Sequence, residues 1–354
     1  MKHDHILIIR FSALGDVAMT VPIVYSLARQ YPDVRITVLS RPFARQLFDN
    51  LAPNVNFMEA DIKTEYHGVK GLNALYRRLT AKQFTHIADL HSVLRSEYLR
   101  MRFNLGHYRV EHINKHRKGK RRLVSQNNKQ LVQQTTSFEN YLEVFDRLGF
   151  PIQLQFHSIF GEGKGSLMQL PPIFETKEDG EKWIGIAPFA AHQGKIYPPE
   201  KMLEVIRLLA SKHNNARFLL FGRGEMENKY YPHWCHEVPQ CINVSIYTDT
   251  LHEELILMSH LNVMLSMDSA NMHLASLTAT PVVSIWGATH PLGGFLGWNQ
   301  SPDNMIQVDL DCRPCSIYGK RPCRRHDLAC LNNIKPEQVL ERIDHLLTLK
   351  YPSL

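Results

Sequence analysis

A carboxylate follows the first predicted strand of the chain, at the start of the first predicted helix. The strand is expected at Ile6–Arg10, and the loop after it reads Phe-Ser-Ala-Leu-Gly-Asp and ends at Asp16. An aspartate in this position can act as a general base that takes a proton from a substrate hydroxyl. It can also be an ordinary first-turn acid that the helix dipole stabilises. The loop holds one glycine, Gly15, and no G-x-G-x-x-G pattern, which disfavours a nicotinamide or flavin site.

Further candidates for anion binding lie in the C-terminal half of the chain. Lys195 stands just before a predicted helix, where it can offer a point charge to a phosphate or can be a solvated surface lysine. Near Asp268 a strand is predicted to end, and a helix then begins whose N–H groups and dipole attract anions. His273 falls in the first turns of that helix, within reach of the same anion, and a structural histidine is the alternative.

Two acids follow a short G-x-G at residues 222–224, which comes after another predicted strand. Glu225 and Glu227 can accept hydrogen bonds from ribose hydroxyls. They can equally be first-turn residues of a helix, stabilised by its dipole. The spacing alone leaves both interpretations open.

Four of the six cysteines fall within nineteen residues, with the spacing Cys312-x2-Cys315-x7-Cys323-x6-Cys330. The chain starts without the pattern of an export signal, so we expect a cytoplasmic protein with reduced thiols rather than disulfides. Two pairs of thiolates can build a tetrahedral zinc site. Because the x7 and x6 spacings are loose for such a site, we predict no metal and keep the four thiolates as the alternative.

The net charge of +7 is concentrated in one segment. Between Arg95 and Gln130, eleven lysines and arginines accompany two acids, so the rest of the chain is slightly acidic. Such a segment attracts nucleic acid, a membrane surface, or a phosphorylated or carboxylated substrate, unless it is simply a solvated loop. The basic run at residues 115–122 lacks the interleaved aromatic residues that stack on bases, which disfavours nucleic acid.

The elements that position these residues alternate along the chain. Its 354 residues, 44% hydrophobic and 21% charged, are typical of a globular protein of about two domains. Strand-length apolar runs alternate with helical-period segments, which predicts parallel sheets covered by helices. In the first half, strands are predicted at Ile6–Arg10, Val34–Leu39, Val55–Met58 and His86–Leu90, and helices at Val17–Gln30, Gly68–Ala81, Val93–Phe103 and Phe138–Leu148. In the second half, strands are predicted at Trp183–Ala187, Arg217–Phe221, Ile242–Val244, Asn262–Leu265 and Pro281–Trp286, and helices at Pro198–Ser211 and Pro336–Leu347.

A glycine- and proline-containing region without clear periodicity separates the two halves. We therefore expect a first domain at 1–165, a linker at 166–182, a second domain at 183–334 and a closing helix at 335–354. Open parallel sheets bind ligands beyond the carboxyl ends of their strands. The expected site is thus a cleft between the two halves.

Three motifs resemble glycosyltransferase family 9, which contains the lipopolysaccharide heptosyltransferases. They are the Ser-Ala-Leu-Gly-Asp loop ending at Asp16, the Lys195-x-x-Pro segment before a helix, and Asp268-Ser269-x-x-Met272-His273-Leu274-Ala275 followed by residues 281–289. The likeness covers nearly the whole chain in the expected order and includes the cysteine-rich segment.

The resemblance implies an α/β fold of GT-B type, with two doubly wound Rossmann-like domains facing a central cleft. It also implies a single inverting displacement that requires no cofactor or metal. The acceptor would bind the N-terminal domain, and ADP-heptose or another nucleotide sugar would bind the C-terminal domain. Asp16 matches the proposed base of the family, and Lys195 matches the lysine that holds the leaving diphosphate.

The resemblance and the charge pattern together define the remaining candidates. We expect the nucleotide sugar to bind at Ala191, Glu225, Glu227, Asp268, Ser269, Ala270 and His273. We expect the acceptor, an anionic glycolipid of the lipopolysaccharide core, to bind at Arg10, Ser12, Gly15, Arg95, Arg117 and Lys118. The basic segment also suggests peripheral contact with the cytoplasmic face of the inner membrane. A nucleotide-sugar epimerase of similar shape is the alternative enzyme, and a nucleic-acid-binding protein is the alternative without catalysis.

Overall fold

The computed structural model describes residues 4–349, so the last five residues of the expected closing helix lie outside the described residues. Contacts divide the chain into two compact units. The first comprises the described residues up to Lys115 together with Thr135–Ile159, and the second comprises His116–Gln134 and the described residues from Phe160 onward. That the two units enclose a common cleft stays a prediction.

The first unit is built on a five-stranded parallel sheet with the order β3-β2-β1-β4-β5. Every residue of the central strand is buried, as expected for a parallel strand covered on both faces. From β1 the strands are added outwards on one side as β2 and β3, and then on the other side as β4 and β5. The point between β1 and β4 where the strand order reverses is where such sheets bind ligands. The strands are β1 (His5–Ile9), β2 (Arg35–Ser40), β3 (Val55–Glu59), β4 (His86–Asp89) and β5 (Arg109–His112).

Six α-helices lie between residues 4 and 148, and one of them belongs to the second unit. They are α1 (Leu14–Ala18), α2 (Val21–Gln30), α3 (Gly68–Thr80), α4 (Leu94–Leu105), α5 (Arg117–Leu123) and α6 (Ser137–Leu148). Of these, α5 lies in the second unit. The single helix predicted at Val17–Gln30 is in fact α1 and α2, because Pro22 has no N–H for the helical ladder and its ring clashes with the carbonyl four residues earlier.

The second unit is built on a six-stranded sheet with the order β11-β10-β9-β6-β7-β8. Its paired strands are all parallel. The strands are β6 (Lys182–Ala187), β7 (Ala216–Leu220), β8 (Cys241–Asn243), β9 (Val263–Met267), β10 (Val282–Ile285) and β11 (Met305–Ile306). The helices are α7 (Pro199–Lys212), α8 (Glu225–Glu237), α9 (Leu251–Ser259), α10 (Ala270–Ser276), α11 (Ala329–Asn332) and α12 (Pro336–Thr348).

The core of the second unit lies between this sheet and helices α7, α8 and α12. It is formed by apolar side chains such as Ile186, Val205, Trp234 and Ile343. Tyr197 is fully buried there and donates its hydroxyl hydrogen bond to Ile334 O at 3.0 Å. This contact ties the segment after Lys195 to the start of α12.

The nine predicted strands are all confirmed, with ends shifted by one or two residues. Elements without an apolar period were missed. The edge strand β5 is mostly polar and has no fully buried residue, α5 is a run of basic residues, and α9 is buried on nearly all sides. The signals that predict elements from a sequence are the apolar pattern of a buried strand and the amphipathic period of a helix. These three segments have neither.

The contact units differ from the expected domain boundaries. Residues 116–134 were expected in the first domain, but they pack with the second unit. Lys129 Nζ donates hydrogen bonds to Asp311 O at 2.6 Å and to Arg313 O at 2.9 Å, and Gln134 N donates to Leu292 O at 2.8 Å. The expected linker at 166–182 is also packed, since Phe174 is buried with its ring 6.2 Å from that of Trp183. Among the helices of residues 4–349, none has the length and apolar character needed to cross a bilayer.

Candidate active site

Asp16 lies in α1, just beyond the carboxyl end of β1. Its Oδ2 is 2.7 Å from Nη2 of Arg10 and accepts a hydrogen bond from Ala13 N at 3.1 Å. Arg10 is almost wholly buried and also donates from Nη1 to Leu90 O at 2.6 Å, which fixes the guanidinium between β1 and β4. The Asp16 side chain remains about one-third exposed. The structure therefore holds one side of this carboxylate against the sheet and leaves the other accessible to a ligand.

His91 lies directly behind the same loop and was not singled out from the sequence. Its Nδ1 accepts a hydrogen bond from Phe11 N at 3.4 Å, and its Nε2 lies 3.5 Å from Ser12 Oγ. Burial, followed by the nearby charges of Arg10 and Lys115, lowers the pKa of His91 from 6.5 to about 3. The ring is therefore neutral at physiological pH. Because Nδ1 accepts from a backbone N–H, the ring proton is on Nε2, which points to the serine hydroxyl.

The loop after β4 is held by Asp89, whose side chain is fully buried. Asp89 Oδ1 accepts hydrogen bonds from His91 N and Ser92 N, both at 2.9 Å, and Oδ2 lies 3.3 Å from Nη1 of Arg100. Lys115 Nζ donates to Ser92 O at 2.9 Å. A topological signal was available for His91, since β4 neighbours β1 at the point where the strand order reverses.

In the second unit, Lys195 and Asp268 form an ion pair. Lys195 belongs to a single 3-10 turn, Gln193–Lys195, and its Nζ is 2.8 Å from Asp268 Oδ2. Asp268 directly follows β9, and its backbone N–H donates to Ile285 O at 3.2 Å. Thr289 Oγ1 donates a second hydrogen bond to Asp268 Oδ2 at 2.8 Å. Residues from beyond the carboxyl ends of β6, β9 and β10 thus meet in one charged cluster.

Close backbone packing confines the Lys195 side chain. A Cβ at Gly319, where φ is +74°, would lie 2.8 Å from Lys195 Cγ. A Cβ at Gly194 would lie 2.9 Å from Ala288 Cβ, and Ala288 N donates to Gly194 O at 2.8 Å. The segment around Gly319 therefore covers one side of the lysine, and a side chain at position 319 would displace it.

Arg313 fixes the loop that carries Thr289. Its guanidinium is buried and donates to Gly287 O at 2.6 Å, to Thr289 O at 3.0 Å and to Trp286 O at 3.1 Å. Burial lowers its pKa. An arginine guanidinium nevertheless stays charged in proteins. Arg313 belongs to the cysteine-rich segment, Cys312–Cys330, and its three acceptors belong to the loop after β10. These hydrogen bonds therefore pack the two segments against each other.

Helix α10 begins next to Asp268. Ser269 is extended at the N-cap position, and its Oγ lies 3.2 Å from Ser266 Oγ. Ala270 opens the helix, and His273 follows one turn later and is 7% exposed. The predicted strand, turn and helix are confirmed here. Asp268, Ser269, Ala270 and His273 accordingly lie together at the carboxyl end of β9.

The acids after the G-x-G lie in the first turn of α8, as the dipole interpretation requires. Glu225 is exposed, whereas Glu227 is half-buried and its Oε1 lies 2.6 Å from the place of a Cβ on Gly222. Gly222 has φ of +127°, a conformation that other residues rarely adopt. Ala191 is exposed in the loop after β6.

The four clustered cysteines line a cavity of about 380 Å³ in the second unit. Burial raises the pKa of Cys330 to about 11. Burial also raises the pKa of Cys323, but the N–H groups of residues 325–328 outweigh it, and the net shift is downward. All six cysteines are free thiols. Among residues 4–349, no set of three or more histidine, cysteine or acidic side chains is arranged to hold a metal ion.

The sequence model of glycosyltransferase family 9 (heptosyltransferase) matches residues 72–323, which is well over half of the chain. The chain belongs to this family. The matched range includes Lys195, Asp268 and the first three clustered cysteines, whereas Asp16 lies before it and Cys330 after it. This family 9 transferase is thus a glycosyltransferase, which removes the epimerase and the nucleic-acid-binding protein as alternatives.

Individual relatives agree with the family assignment. Lipooligosaccharide heptosyltransferase 2 of Campylobacter jejuni subsp. jejuni serotype O:2 is 22% identical over 350 residues, which cover 94% of this chain and 95% of the relative. The crystal structure of a family 9 glycosyl transferase from Veillonella parvula DSM 2008 superposes with a TM-score of 0.73 at 18% identity and covers 98% of both chains. E. coli heptosyltransferase WaaC with ADP gives a TM-score of 0.67 at 16% identity, covering 97% of this chain and 99% of that one. The GT-B type of fold is confirmed.

The family 9 transferase brings most of the predicted site residues into two clusters, one in each unit. Arg10, Ser12, Gly15 and Asp16 share the β1 edge with His91, and Arg95 is near enough to contribute to the pKa of His91. Arg117 and Lys118 were grouped with this acceptor cluster, but they lie on α5, which packs in the second unit. The hydrogen bonds of Lys129 to Arg313 O and of Gln134 to Leu292 O anchor this segment in the second unit, and whether Arg117 and Lys118 bind the acceptor stays a prediction.

Proposed function

We propose that this enzyme transfers a heptose, or a related sugar, from an ADP-sugar to a lipopolysaccharide core acceptor with inversion at the anomeric carbon. The observation that carries the proposal is the Lys195–Asp268 pair at the carboxyl ends of β6 and β9, in a chain that belongs to the heptosyltransferase family. The lysine is held in place before any ligand binds. A buried carboxylate and Gly319 leave its ammonium group little freedom.

In the proposed reaction, Asp16 removes the proton from the acceptor hydroxyl as the oxygen attacks the anomeric carbon. The bond from that carbon to the diphosphate oxygen breaks, and ADP departs with the bonding electrons. Arg10 would hold Asp16 in place for this proton transfer through the 2.7 Å ion pair. Such a displacement passes through an oxocarbenium-like transition state, so positive charge near the departing phosphates lowers its energy.

Lys195 would supply that charge by exchanging part of its contact with Asp268 for the diphosphate. The N–H groups at the start of α10, with Ser269 and Ala270, lie next to Asp268 and would bind the same anion. His273 would add a hydrogen bond, and Ala191, Glu225 and Glu227 would contact the rest of the nucleotide sugar. With these groups the proposed reaction requires no metal ion or cofactor.

The proposed acceptor is an anionic glycolipid, which Arg10, Ser12, Gly15 and Arg95 would bind at the edge of the first sheet. Arg117 and Lys118 would contribute from the second unit through their exposed positive charges. Since this acceptor is anchored in a lipid bilayer, we place the enzyme in the cytoplasm at the inner-membrane surface.

The test compares ADP, UDP, GDP and CDP by thermal shift, followed by transfer from ADP-heptose with NMR of the product's anomeric linkage. A ligand at a hundred times its dissociation constant adds about 2.7 kcal/mol of stability. We expect selective stabilisation by ADP, loss of that effect in Lys195→Ala, and its retention in the matched surface variant Lys164→Ala. Preference for another diphosphate would reject ADP-heptose, and a product with retained configuration would reject the mechanism.

A further inference from the structure

Helix α4 carries apolar side chains on two opposite faces. Leu99 and Phe103 are fully buried and pack towards the sheet of the first unit. Leu94, Met101 and Leu105 are instead 86%, 48% and 71% exposed. At 100° per residue, the spacing i, i+7 and i+11 places these three side chains within about 40° of one line along the helix. We call this line the apolar stripe.

The apolar stripe is not explained by the folding of the first unit. The opposite face of α4 already supplies its core contacts, so exposing two leucines and a methionine in a line only adds apolar surface to water. Single exposed apolar residues are common, whereas aligned ones indicate an interaction surface. The stripe is also long enough to act as one surface, since eleven residues of helix span about 16 Å.

Positive charge lies along one side of the stripe, and Glu97 lies about 60° round the helix on the other side. Arg95 and Arg102 are about 80–100° round the helix from it, on the same side. Arg102 stacks over the ring of Tyr76, 4.5 Å from its centroid, and Arg95 is exposed. The neighbouring helix α3 packs on α4 through a 2.9 Å hydrogen bond from Tyr98 Oη to Asn73 Oδ1, and adds the exposed cations Lys70 and Arg77.

We propose that the apolar stripe of α4 docks the enzyme on a bilayer that contains anionic lipids. Leu94, Met101 and Leu105 enter the boundary between headgroups and acyl chains, and the flanking arginines bind lipid phosphates. The cationic surroundings favour a lipid surface over an apolar protein partner, because arginine side chains at this depth reach the phosphates while their stems stay in apolar contact.

The position of α4 relates the docking to the acceptor site, a relation that rests on the proposed function. The helix starts three residues after His91, whose ring contacts Ser12 in the Asp16 loop. Docking through α4 would therefore bring the acceptor edge of the first sheet next to the bilayer in which a lipid-anchored acceptor lies.

The experiment measures co-sedimentation of the full chain with vesicles of equal parts phosphatidylglycerol and phosphatidylcholine, and with vesicles of pure phosphatidylcholine. We expect wild type to bind the anionic vesicles and to bind the neutral ones weakly. The triple variant Leu94→Ser, Met101→Ser, Leu105→Ser should bind the anionic vesicles about a thousandfold more weakly, since each of the three buried apolar side chains contributes about tenfold. Met168→Ser, which removes a 90% exposed apolar side chain from the second unit, should bind like wild type.

Three outcomes would overturn the proposal. In the first, wild type does not bind anionic vesicles. In the second, the triple variant binds them as tightly as wild type does. In the third, wild type is a dimer in analytical ultracentrifugation and the triple variant is a monomer. Thermal melting and ADP-induced stabilisation of the triple variant control for its folding.

Transfer to a deacylated, water-soluble acceptor separates the docking proposal from the proposed function. If the docking surface is correct, the triple variant transfers sugar to this acceptor as well as wild type does. If wild type binds vesicles but transfers sugar to no acceptor, only the proposed function is rejected.

Discussion

Lys195 Nζ and Asp268 Oδ2 are 2.8 Å apart, and the carboxylate is 6% exposed whereas the lysine side chain is 17% exposed. The same carboxylate oxygen accepts a hydrogen bond from Thr289. Because Asp268 is removed from water, its charge depends on the lysine for compensation. The pair joins the loop after β6 to the end of β9, so it contributes to the fold as well as to the proposed diphosphate site.

Removing only the lysine should therefore cost stability as well as activity. Lys195→Met leaves a buried carboxylate without its cation, and we expect a loss of about 2–4 kcal/mol in the free energy of unfolding. The double variant Lys195→Met, Asp268→Asn should recover part of that loss, because a neutral amide needs no cation. Urea unfolding of the two single variants and the double variant measures the coupling. Lys164→Met should change stability by less than about 0.5 kcal/mol, and strictly additive losses in the cycle would contradict a direct interaction.

Asp16→Asn tests the proposed base. The amide keeps the size of the side chain but cannot take a proton, so turnover should fall by about a hundredfold or more. ADP binding should be unchanged, since the donor residues lie in the second unit. The measurement is kcat from ADP-heptose consumption beside the ADP dissociation constant by calorimetry. Near-normal turnover in this variant would reject Asp16 as the base.

His91 should make the protein less stable in mild acid. Its folded pKa of about 3 lies below the ordinary 6.5, so between these values the unfolded chain binds more protons than the folded one. The His91 contribution is therefore complete above pH 6.5 and is lost as the pH falls. Between about pH 7 and pH 5 the loss is about 2 kcal/mol.

Urea unfolding at both pH values, for wild type and His91→Asn, isolates this contribution. The asparagine cannot titrate, and the difference between the two proteins cancels the effect of other buried histidines such as His5 and His86, whose pKa values burial also lowers. We expect a smaller pH dependence in the variant. An identical dependence in the two proteins would show that His91 is protonated in the folded state as readily as in the unfolded one.

Gly319→Ala should weaken ADP binding through Lys195. The new Cβ would lie 2.8 Å from Lys195 Cγ and displace the ammonium group, so we expect about tenfold weaker binding, the loss of one charge-assisted contact. Gly180→Ala is the matched control, because Gly180 has φ of +79° and open space around its Cβ position. Both variants should lose about 1 kcal/mol of stability through the positive φ. Calorimetry with ADP that finds the two variants equal would separate Gly319 from the site.

Apolar periodicity was sufficient to predict most of the architecture. The strands that precede Asp16 and Asp268 are mostly apolar, and every residue of β1 and β9 is buried. The turn of small polar residues before α10 could also be predicted from the sequence, because it interrupts the apolar pattern of β9. These features depend on neighbours in the sequence, so local patterns determine them.

Contacts between distant residues could not be predicted in this way. His91 is 80 residues from Phe11, and Lys195 is 73 residues from Asp268, so only the pairing of β1 with β4 and of β6 with β9 brings each pair together. The same applies to residues 116–134, whose basic composition was evident but whose packing with the second unit follows from hydrogen bonds to Asp311, Arg313 and Leu292.

Local sequence patterns are sufficient to predict the class of fold, the order of the strands along the chain and the residues able to do chemistry, because burial period and side-chain type are local properties. Which of those residues meet follows from the tertiary structure. It paired the proposed base with Arg10, held Lys195 on a buried aspartate and placed α5 in the second unit. The physical reason is that strand order across a sheet and close packing between segments are set by the whole core, which no single stretch of sequence encodes.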